Sequence, residues 1–563
     1  MSAASWREHA LTVGLYLLVS VAWSWPLASA PLGILASGFD TWGTLWSVHA
    51  SETVGWDLLN HDSGWPLGQE LRRSDSMLLL LTLKLLPGRV DPVGAVSLMC
   101  LLGPVVSALA AERCAHRALG VAWPWSIVAG LSFGFLGISS ATFAGGQVYA
   151  LVNPWLPLLA WSWYAATERT GTWKQGALAG LMWLLCLLTT VYVGLAATLL
   201  VLAGLPRLWR SKKLAAAGSA AAIALPTGLI YVLVFTTGAM RGEGSGAQLL
   251  DPLPILEMGS ATLSGLAGWS PSSAGVFEDV VPLGWTVLAL VGLAPWVLRR
   301  GGWRWFAALG ILGLVLALGP TLRPEGTVRG GLPWIWRPLA LESVVRWFRF
   351  PVRMLWLTGL GFGVVAAKTL EALGRDRPRL ALPLILACAM ESVLLSGRAP
   401  FRSFAIPAQA PSAYAATPPD RAVLDLFPVE AGQPVDFALY HVDLTCAWAA
   451  QHGRPIAQVC LETSPGHDDP RSRISAWMHD RFVRDPDPEA TRRLLSDLGF
   501  GAVVVRPEHY LPNDRRAVLT GLEQAFGPPI AESRDSGEHL LVFEVPESSE
   551  DPLVAWRALL SET

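Results

Sequence analysis

Residues 92–120 read PVGAVSLMCLLGPVVSALAAERCAHRALG, and this stretch decides the fold class. From Pro92 to Ala111 it carries no charged side chain, and it then meets Glu112, Arg113 and Arg117. A helix rises 1.5 Å per residue and the hydrocarbon layer of a bilayer is about 30 Å thick, so roughly 20 apolar residues suffice to cross it. The same reading carried outward predicts about eleven spans, near 9–28, 92–112, 122–143, 148–167, 173–188, 191–206, 214–236, 281–298, 303–320, 351–373 and 380–397. The pair 173–188 and 191–206 is short, with only Thr189 and Thr190 between its members, and reads as one span or two. Residues 77–87, MLLLLTLKLLP, are too short to cross and read as an interfacial or re-entrant helix. The first span lacks a small-residue cleavage pattern and reads as retained.

Composition changes near residue 400. Residues 1–400 hold 28 basic and 20 acidic side chains and 24 of the 27 tryptophans, whereas residues 401–563 hold 14 basic and 24 acidic. The predicted architecture is a polytopic α-helical membrane domain, 1–398, followed by a small soluble α+β domain, 399–563. In the second part strand-like runs occur at 422–427, 501–505 and 540–545, and helical patterns at 488–498 and 513–525. A chain that is 52% apolar and 15% charged, with a net charge of −2, is neither disordered nor a basic nucleic-acid binder. Membrane lipid is the expected surrounding.

Orientation follows from the short connections. Arg113 and Arg117, Arg169 and Lys174, Arg207, Arg210, Lys212 and Lys213, Arg299, Arg300 and Arg304, and Arg375, Arg377 and Arg379 all fall in alternate loops. Basic loops stay in the cytoplasm, which puts the N-terminus inside and the C-terminal domain outside the plasma (inner) membrane. The outer side then carries three long connections, 29–91, 237–280 and 321–350. Loops of that length are uncommon unless they work. Their Trp42, Trp46, Trp56, Trp65, Trp269, Trp334, Trp336 and Trp347 suit the headgroup layer.

Three outer stretches offer chemistry. In SGFDTWGTLWSVHASETVGWD (37–57), Asp40 precedes Trp42, Leu45, Trp46, His49 and Thr53, which share one face of a helix. A carboxylate there can act as a general base, ligate a divalent cation such as Mg or Mn, or simply cap the helix. His49 and Glu52 are its further partners, or solvated helix residues. In RWFRFPVR (346–353), Arg346, Arg349 and Arg353 are three and four apart, beside Pro351 at the start of a span. Such guanidiniums can clamp a phosphate or anchor to lipid headgroups. Around Gly145 and Gly146, the residues Gln147, Tyr149 and Asn153 approach the bilayer. Gln147 and Asn153 can bind a polar substrate, or satisfy backbone groups freed by Pro154 and Pro157. Cys446 and Cys460 would face an oxidising compartment, as a disulfide or as two buried thiols.

Ionisable residues inside the spans are nearly absent, with Glu391 and Lys368 the chief exceptions. That scarcity argues against a coupled transporter or a proton pump. No P-loop, zinc-ligand spacing, GxSxG or dinucleotide fingerprint occurs, which argues against ATP hydrolysis and dehydrogenation.

The order of these features resembles the GT-C superfamily of membrane glycosyltransferases, closest to bacterial multi-pass members with an extracytoplasmic C-terminal domain. The resemblance rests on one span followed by a long loop with Asp40 and Trp46, then GWPLGQEL (64–71), GGQ and NPWLPL (145–158), RFPVRM (349–354) and LLSDLGFGAVVVRPE (494–508). It implies a polyprenyl-phosphate-linked sugar donor, Asp40 near the acceptor as base or metal ligand, and Arg349 with Arg353 as the phosphate clamp. The sequence departs from some GT-C groups in having a single first-loop aspartate rather than an acidic pair. The leading expectation is transfer of that sugar to an extracytoplasmic acceptor. The alternatives are a transporter or flippase of a lipid-linked polar molecule, and a non-catalytic membrane scaffold.

Overall fold

The computed structural model describes residues 3–25, 27–32, 34–35, 39–53, 59–60, 69–70, 77–85, 91–144, 147–240, 261–267, 281–298, 301–319, 321–322, 332–333, 351–375, 378–396, 406–407, 409–426, 445–446, 448–457, 474, 478, 481–483, 487–535 and 538–562. Up to residue 396 the structure is built on helices: α1 (Ala3–Trp23), α2 (Phe39–Thr53), α3 (Met77–Leu85), α4 (Pro92–Leu119), α5 (Ile127–Phe135), α6 (Ile138–Ala144), α7 (Val148–Leu151) and α8 (Trp155–Ala166). They continue as α9 (Trp173–Thr189), α10 (Val191–Ser211), α11 (Leu214–Met240), α12 (Leu263–Leu266), α13 (Trp285–Val297), α14 (Trp303–Ala317), α15 (Leu355–Gly374) and α16 (Ala381–Ser396).

Each of the eleven stretches read as a span holds helix, but two are broken. Within 122–143 the break falls at Gly137, which takes φ +58° and donates its N–H to the Pro282 carbonyl at 2.7 Å. Within 148–167 it falls before Pro154, which has no N–H to continue α7. The 173–206 region is two helices. Thr190 is fully extended (φ −156°, ψ 158°), and its hydroxyl accepts the Val193 N–H at 3.1 Å, capping α10. Among the described residues, α4 and α10 are long and apolar enough to cross a bilayer, and several shorter helices are equally apolar.

Close approach between helices depends on residues without bulk. Gly176 and Gly180 of α9 lie on Ala216 and Ala220 of α11, and Gly310 of α14 lies on Phe362 of α15. Helix α4 runs through the bundle against α1, α2, α5, α7, α8 and α15. Its Cys100, Ala108, Ala111 and Ala115 are buried, while Leu98, Leu102 and Val106 point outward at four-residue intervals. An outward apolar stripe is the reverse of a water-soluble helix.

The two ionisable residues noted inside spans have local partners. Glu391 of α16 accepts the Thr286 N–H at 3.0 and 3.1 Å and the Thr286 hydroxyl at 2.9 Å, which caps α13 from a neighbouring helix. Lys368 pairs with Glu371 at 2.5 Å, and Glu371 also accepts the Ala122 N–H at 3.1 Å.

Short antiparallel pairs join β1 (Ile34–Leu35) to β6 (Ile406–Pro407), β2 (Leu59–Asn60) to β3 (Gln69–Glu70), and β4 (Thr321–Leu322) to β5 (Leu332–Pro333). The C-terminal part is a four-stranded sheet of β7 (Ala422–Leu426), β8 (Phe500–Val505), β9 (Ala531–Ser533) and β10 (Leu540–Glu544), in the order β7-β8-β10-β9. β7 and β8 are parallel, and β10 is antiparallel to both of its neighbours. Helices α17 (Pro488–Asp497), α18 (Pro512–Phe526) and α19 (Pro552–Glu562) accompany it. β9 and α19 were not anticipated from sequence.

Alternate residues of the sheet serve two cores. Leu424, Val503, Val505 and Phe543 pack with Leu495, Leu522 and Trp556. Val423, Ala502, Val504 and Val542 join Tyr414, Cys446, Trp448 and Ile456 in the apolar cluster that runs on into the helical bundle. Through that second face the sheet is seated on the bundle.

Candidate active site

Helix α2 carries the predicted carboxylate. Asp40 is its second residue, within the first turn, where the positive end of the helix dipole favours an anion. Leu45, Trp46, Val48, Ala50, Thr41, Thr44, Ser47 and Ser51 are all buried, so α2 is enclosed around most of its circumference. It packs on α3, α4 and α7. This corrects the expectation of a helix lying in the headgroup layer: Trp46 has no exposed surface, and its ring stands 5.3 Å from the half-buried His49. The side chains of Asp40, Trp42 and Glu52, and the tryptophans at 56, 65, 269, 334, 336 and 347, lie outside the described residues. Beside His49 comes His452 of the C-terminal part, whose imidazole is held neutral, its pKa lowered to about 3 by burial, by Arg454 and by His49.

The 147–155 segment adjoins α2 through α7. Gln147 is buried and Tyr149 is half-buried against the core. Backbone groups near Pro154 are satisfied from α4. The Ser107 hydroxyl donates to the Leu151 carbonyl at 2.7 Å and accepts the Asn153 N–H at 2.9 Å. Asn153 itself has no exposed surface, yet both atoms of its side-chain amide lack a hydrogen-bond partner. The alternative in which Asn153 repairs the backbone is therefore filled by Ser107, a residue that sequence reasoning passed over as one serine in an apolar helix.

Arg353 stands in a 3-10 turn, Pro351–Met354, that leads into α15. Its guanidinium lies 4.3 Å from the centroid of the Tyr192 ring at the start of α10. Arg346 and Arg349 lie outside the described residues. Two contacts fix the height of Arg353 relative to Asn153. The Trp163 indole of α8 donates to the Val201 carbonyl of α10 at 3.1 Å, and Arg207 lies over Tyr164. These helices run in the same direction, separated in sequence by the return helix α9. The starts of α8 and α10, Trp155 and Val191, therefore lie toward the same end of the bundle. Asn153 and the Arg353–Tyr192 pair thus occupy the same end of the bundle, and α2 packs on α7, which directly precedes Asn153.

No protein-family profile matches the chain, and no curated protein sequence matches it. Solved structures do. The cryo-EM structure of the arabinofuranosyltransferase AftD from mycobacteria matches with a TM-score of 0.56 at 14% identity, over 98% of this chain and 40% of that one. The crystal structure of the Archaeoglobus fulgidus oligosaccharyltransferase tethered to an acceptor peptide matches with a TM-score of 0.51 at 11% identity, over 89% of this chain and 69% of that one. The chain has a GT-C-like fold. It spans about 40% of the length of AftD, and at these identities the shared property is the fold.

Within this GT-C-like chain, no group of three or more His, Cys, Asp or Glu side chains among the described residues is arranged to hold a metal ion. Cys446 is disulfide-bonded, and its predicted partner Cys460 lies outside the described residues. Cys100, Cys114, Cys186 and Cys388 are free and buried.

The GT-C-like fold also seats an ion pair that sequence reasoning missed. Asp425 of β7 and Arg506, just after β8, meet at 3.4 Å with almost no exposed surface. Tyr414 donates to the same Asp425 oxygen at 2.5 Å, and Arg506 donates to Thr445 at 3.3 Å and lies 4.5 Å from the Trp448 ring. The Tyr414 ring stacks on His452 at 4.5 Å, which links this network to His49 and α2. Burial raises the Asp425 carboxyl above its ordinary value, although Arg506 and Tyr414 act to lower it.

Proposed function

We propose that the chain is an integral membrane glycosyltransferase that moves a sugar, with inversion, from a polyprenyl-phosphate-linked donor to an extracytoplasmic acceptor. The observation that carries this reading is the GT-C-like fold, common to an arabinofuranosyltransferase and an oligosaccharyltransferase. The outward apolar stripe of α4 supports burial in lipid, and the basic short loops support an outer location for the site. Nucleotide sugars are absent on that side, so an activated sugar must arrive on a lipid.

In the proposed reaction the acceptor oxygen attacks the anomeric carbon opposite the phosphate. The carbon–oxygen bond to phosphate breaks, and polyprenyl phosphate leaves with the electron pair. Arg353, with Arg346 and Arg349, stabilises the charge that grows on the phosphate oxygens. Asp40 takes the proton of the acceptor. A Mg or Mn ion held by Asp40 together with water and the donor phosphate is the rival role for this carboxylate. His49 and Glu52 lie further along the same helix.

Transfer from a polyprenyl-phosphoryl sugar by purified Asp40→Asn and Arg353→Ala chains tests the assignment. Both should lose turnover by about 100-fold or more while remaining folded. Wild-type turnover in both variants rejects these site residues. Titration of chelator-treated protein with Mg and Mn separates base from ligand.

A further inference from the structure

Five buried polar atoms or groups at one end of the bundle lack hydrogen-bond partners: the Asn153 amide, the indole nitrogens of Trp23, Trp46 and Trp155, and the Thr41 hydroxyl. They belong together in the fold. Thr41 and Trp46 are on α2, which packs on α7 directly before Asn153, and the Trp23 ring lies 4.4 Å from Phe143 of α6. Buried polar groups are almost always paired in native proteins, and an unpaired one calls for a partner from outside the chain, whether water, an ion or a ligand group, or for local strain. Asn153 is the clearest case. Its own backbone is already satisfied by Ser107, its side chain has no exposed surface, and both its donor and its acceptor are open.

We infer that the Asn153 amide binds a hydroxyl of the sugar being transferred, an inference that rests on the glycosyl-transfer reading above. The amide offers an N–H and a carbonyl oxygen side by side, and a hydroxyl group both accepts and donates, so it satisfies the two together. A phosphate has only acceptor oxygens at this position and leaves the Asn153 carbonyl unpaired. An isoprenoid chain satisfies neither. The location agrees with the chemistry. Asn153 directly precedes α8, whose start lies at the same end of the bundle as the start of α10, where Tyr192 meets Arg353. Asn153 is thus a specificity residue for the glycosyl part, while Arg353 holds the phosphate.

The test is binding by the full chain in detergent, with two kinds of probe: polyprenyl-phosphoryl pentoses and hexoses, and polyprenyl phosphate without a sugar. Asn153→Leu removes the amide at nearly the same volume, and Asn153→Ala removes it with a smaller side chain. Both variants should bind the sugar-bearing probe about tenfold or more weakly and the bare phosphate as wild type does. Asn153→Leu should melt no lower than wild type, because no internal hydrogen bond is lost. Equal weakening of both probes, unchanged affinity for both, or a lowered melting temperature of Asn153→Leu overturns the inference and leaves the glycosyl-transfer reading standing. A wild-type chain that binds no sugar-bearing probe overturns both.

Discussion

Replacing Arg506 by Met should cost the C-terminal sheet up to about 4 kcal/mol at pH 7, and that cost should shrink with acidity in a defined way. The substitution keeps the length of the side chain and removes the charge that faces Asp425 at 3.4 Å. Asp425 is then a buried carboxylate without its cation. Breaking such a pair by removing one partner costs about 3–5 kcal/mol. The carboxyl can escape by taking a proton, which limits the cost to the free energy of protonation. From an unfolded value near 3.9, this amounts to at most about 1.4 kcal/mol per pH unit, or about 4 kcal/mol at pH 7, less the part that burial already costs the raised carboxyl of the wild type. In the variant the folded-state pKa is raised above the unfolded one. Its contribution is therefore intact below about pH 4 and is lost progressively as pH rises. At pH 5 the cost of the substitution should fall to about 1.5 kcal/mol. Hydrogen exchange of the β7 and β8 amides in the purified chain, read as local opening free energy and corrected for the intrinsic rate, measures it. Asp425→Leu combined with Arg506→Met should recover most of the loss, since an apolar pair of similar volume carries no desolvation cost. A cost below about 1 kcal/mol, or one independent of pH between 5 and 7, would refute the reasoning.

Three further outcomes are expected. His452, neutral through burial, Arg454 and His49, contributes stability that is present above its unfolded pKa of about 6.5 and lost as pH falls toward about 3. Exchange of amides 448–452 should therefore accelerate between pH 6.5 and 4, and His452→Phe should abolish that dependence. Burial acts to raise the Glu538 carboxyl, but its hydrogen bond with His509 and the charge of Arg506 hold it below its ordinary value. Its stabilisation should be present above about pH 4.3 and lost as pH falls further, which an acid titration of wild type against Glu538→Gln will show. Ser107→Ala orphans the Asn153 N–H and the Leu151 carbonyl, and should destabilise the bundle by about 1–3 kcal/mol in a thermal melt.

Most of the secondary structure was legible because it depends on local chemistry. A long apolar run such as 92–111 forms helix, Thr190 stops one helix and caps the next, and the short, near-continuous apolar runs in β7 and β8 mark strands buried on both faces. The breaks were less legible. Gly137 interrupts its helix through a bond to Pro282, a residue far away in sequence. Trp46 shows the same limit, since a tryptophan in an outer loop suits a headgroup layer until the fold packs α4 and α7 against it. At the site, Asp40, Asn153 and Arg353 were all legible as residue types, and neither Ser107 nor Tyr192 was.

What the sequence determined by itself is the list of helices, the contrast between an apolar first part and a charged tail, and the presence of one carboxylate and three arginines suited to phosphate chemistry. Only the tertiary structure decided that Arg353 meets Tyr192, that Asn153 is buried with its amide unsatisfied, and that Asp425 finds Arg506 across 81 residues. The physical reason is range. Helix formation and capping act over a turn or two of chain, whereas the pairing of buried polar groups is set by how helices and strands cross, which no local pattern encodes.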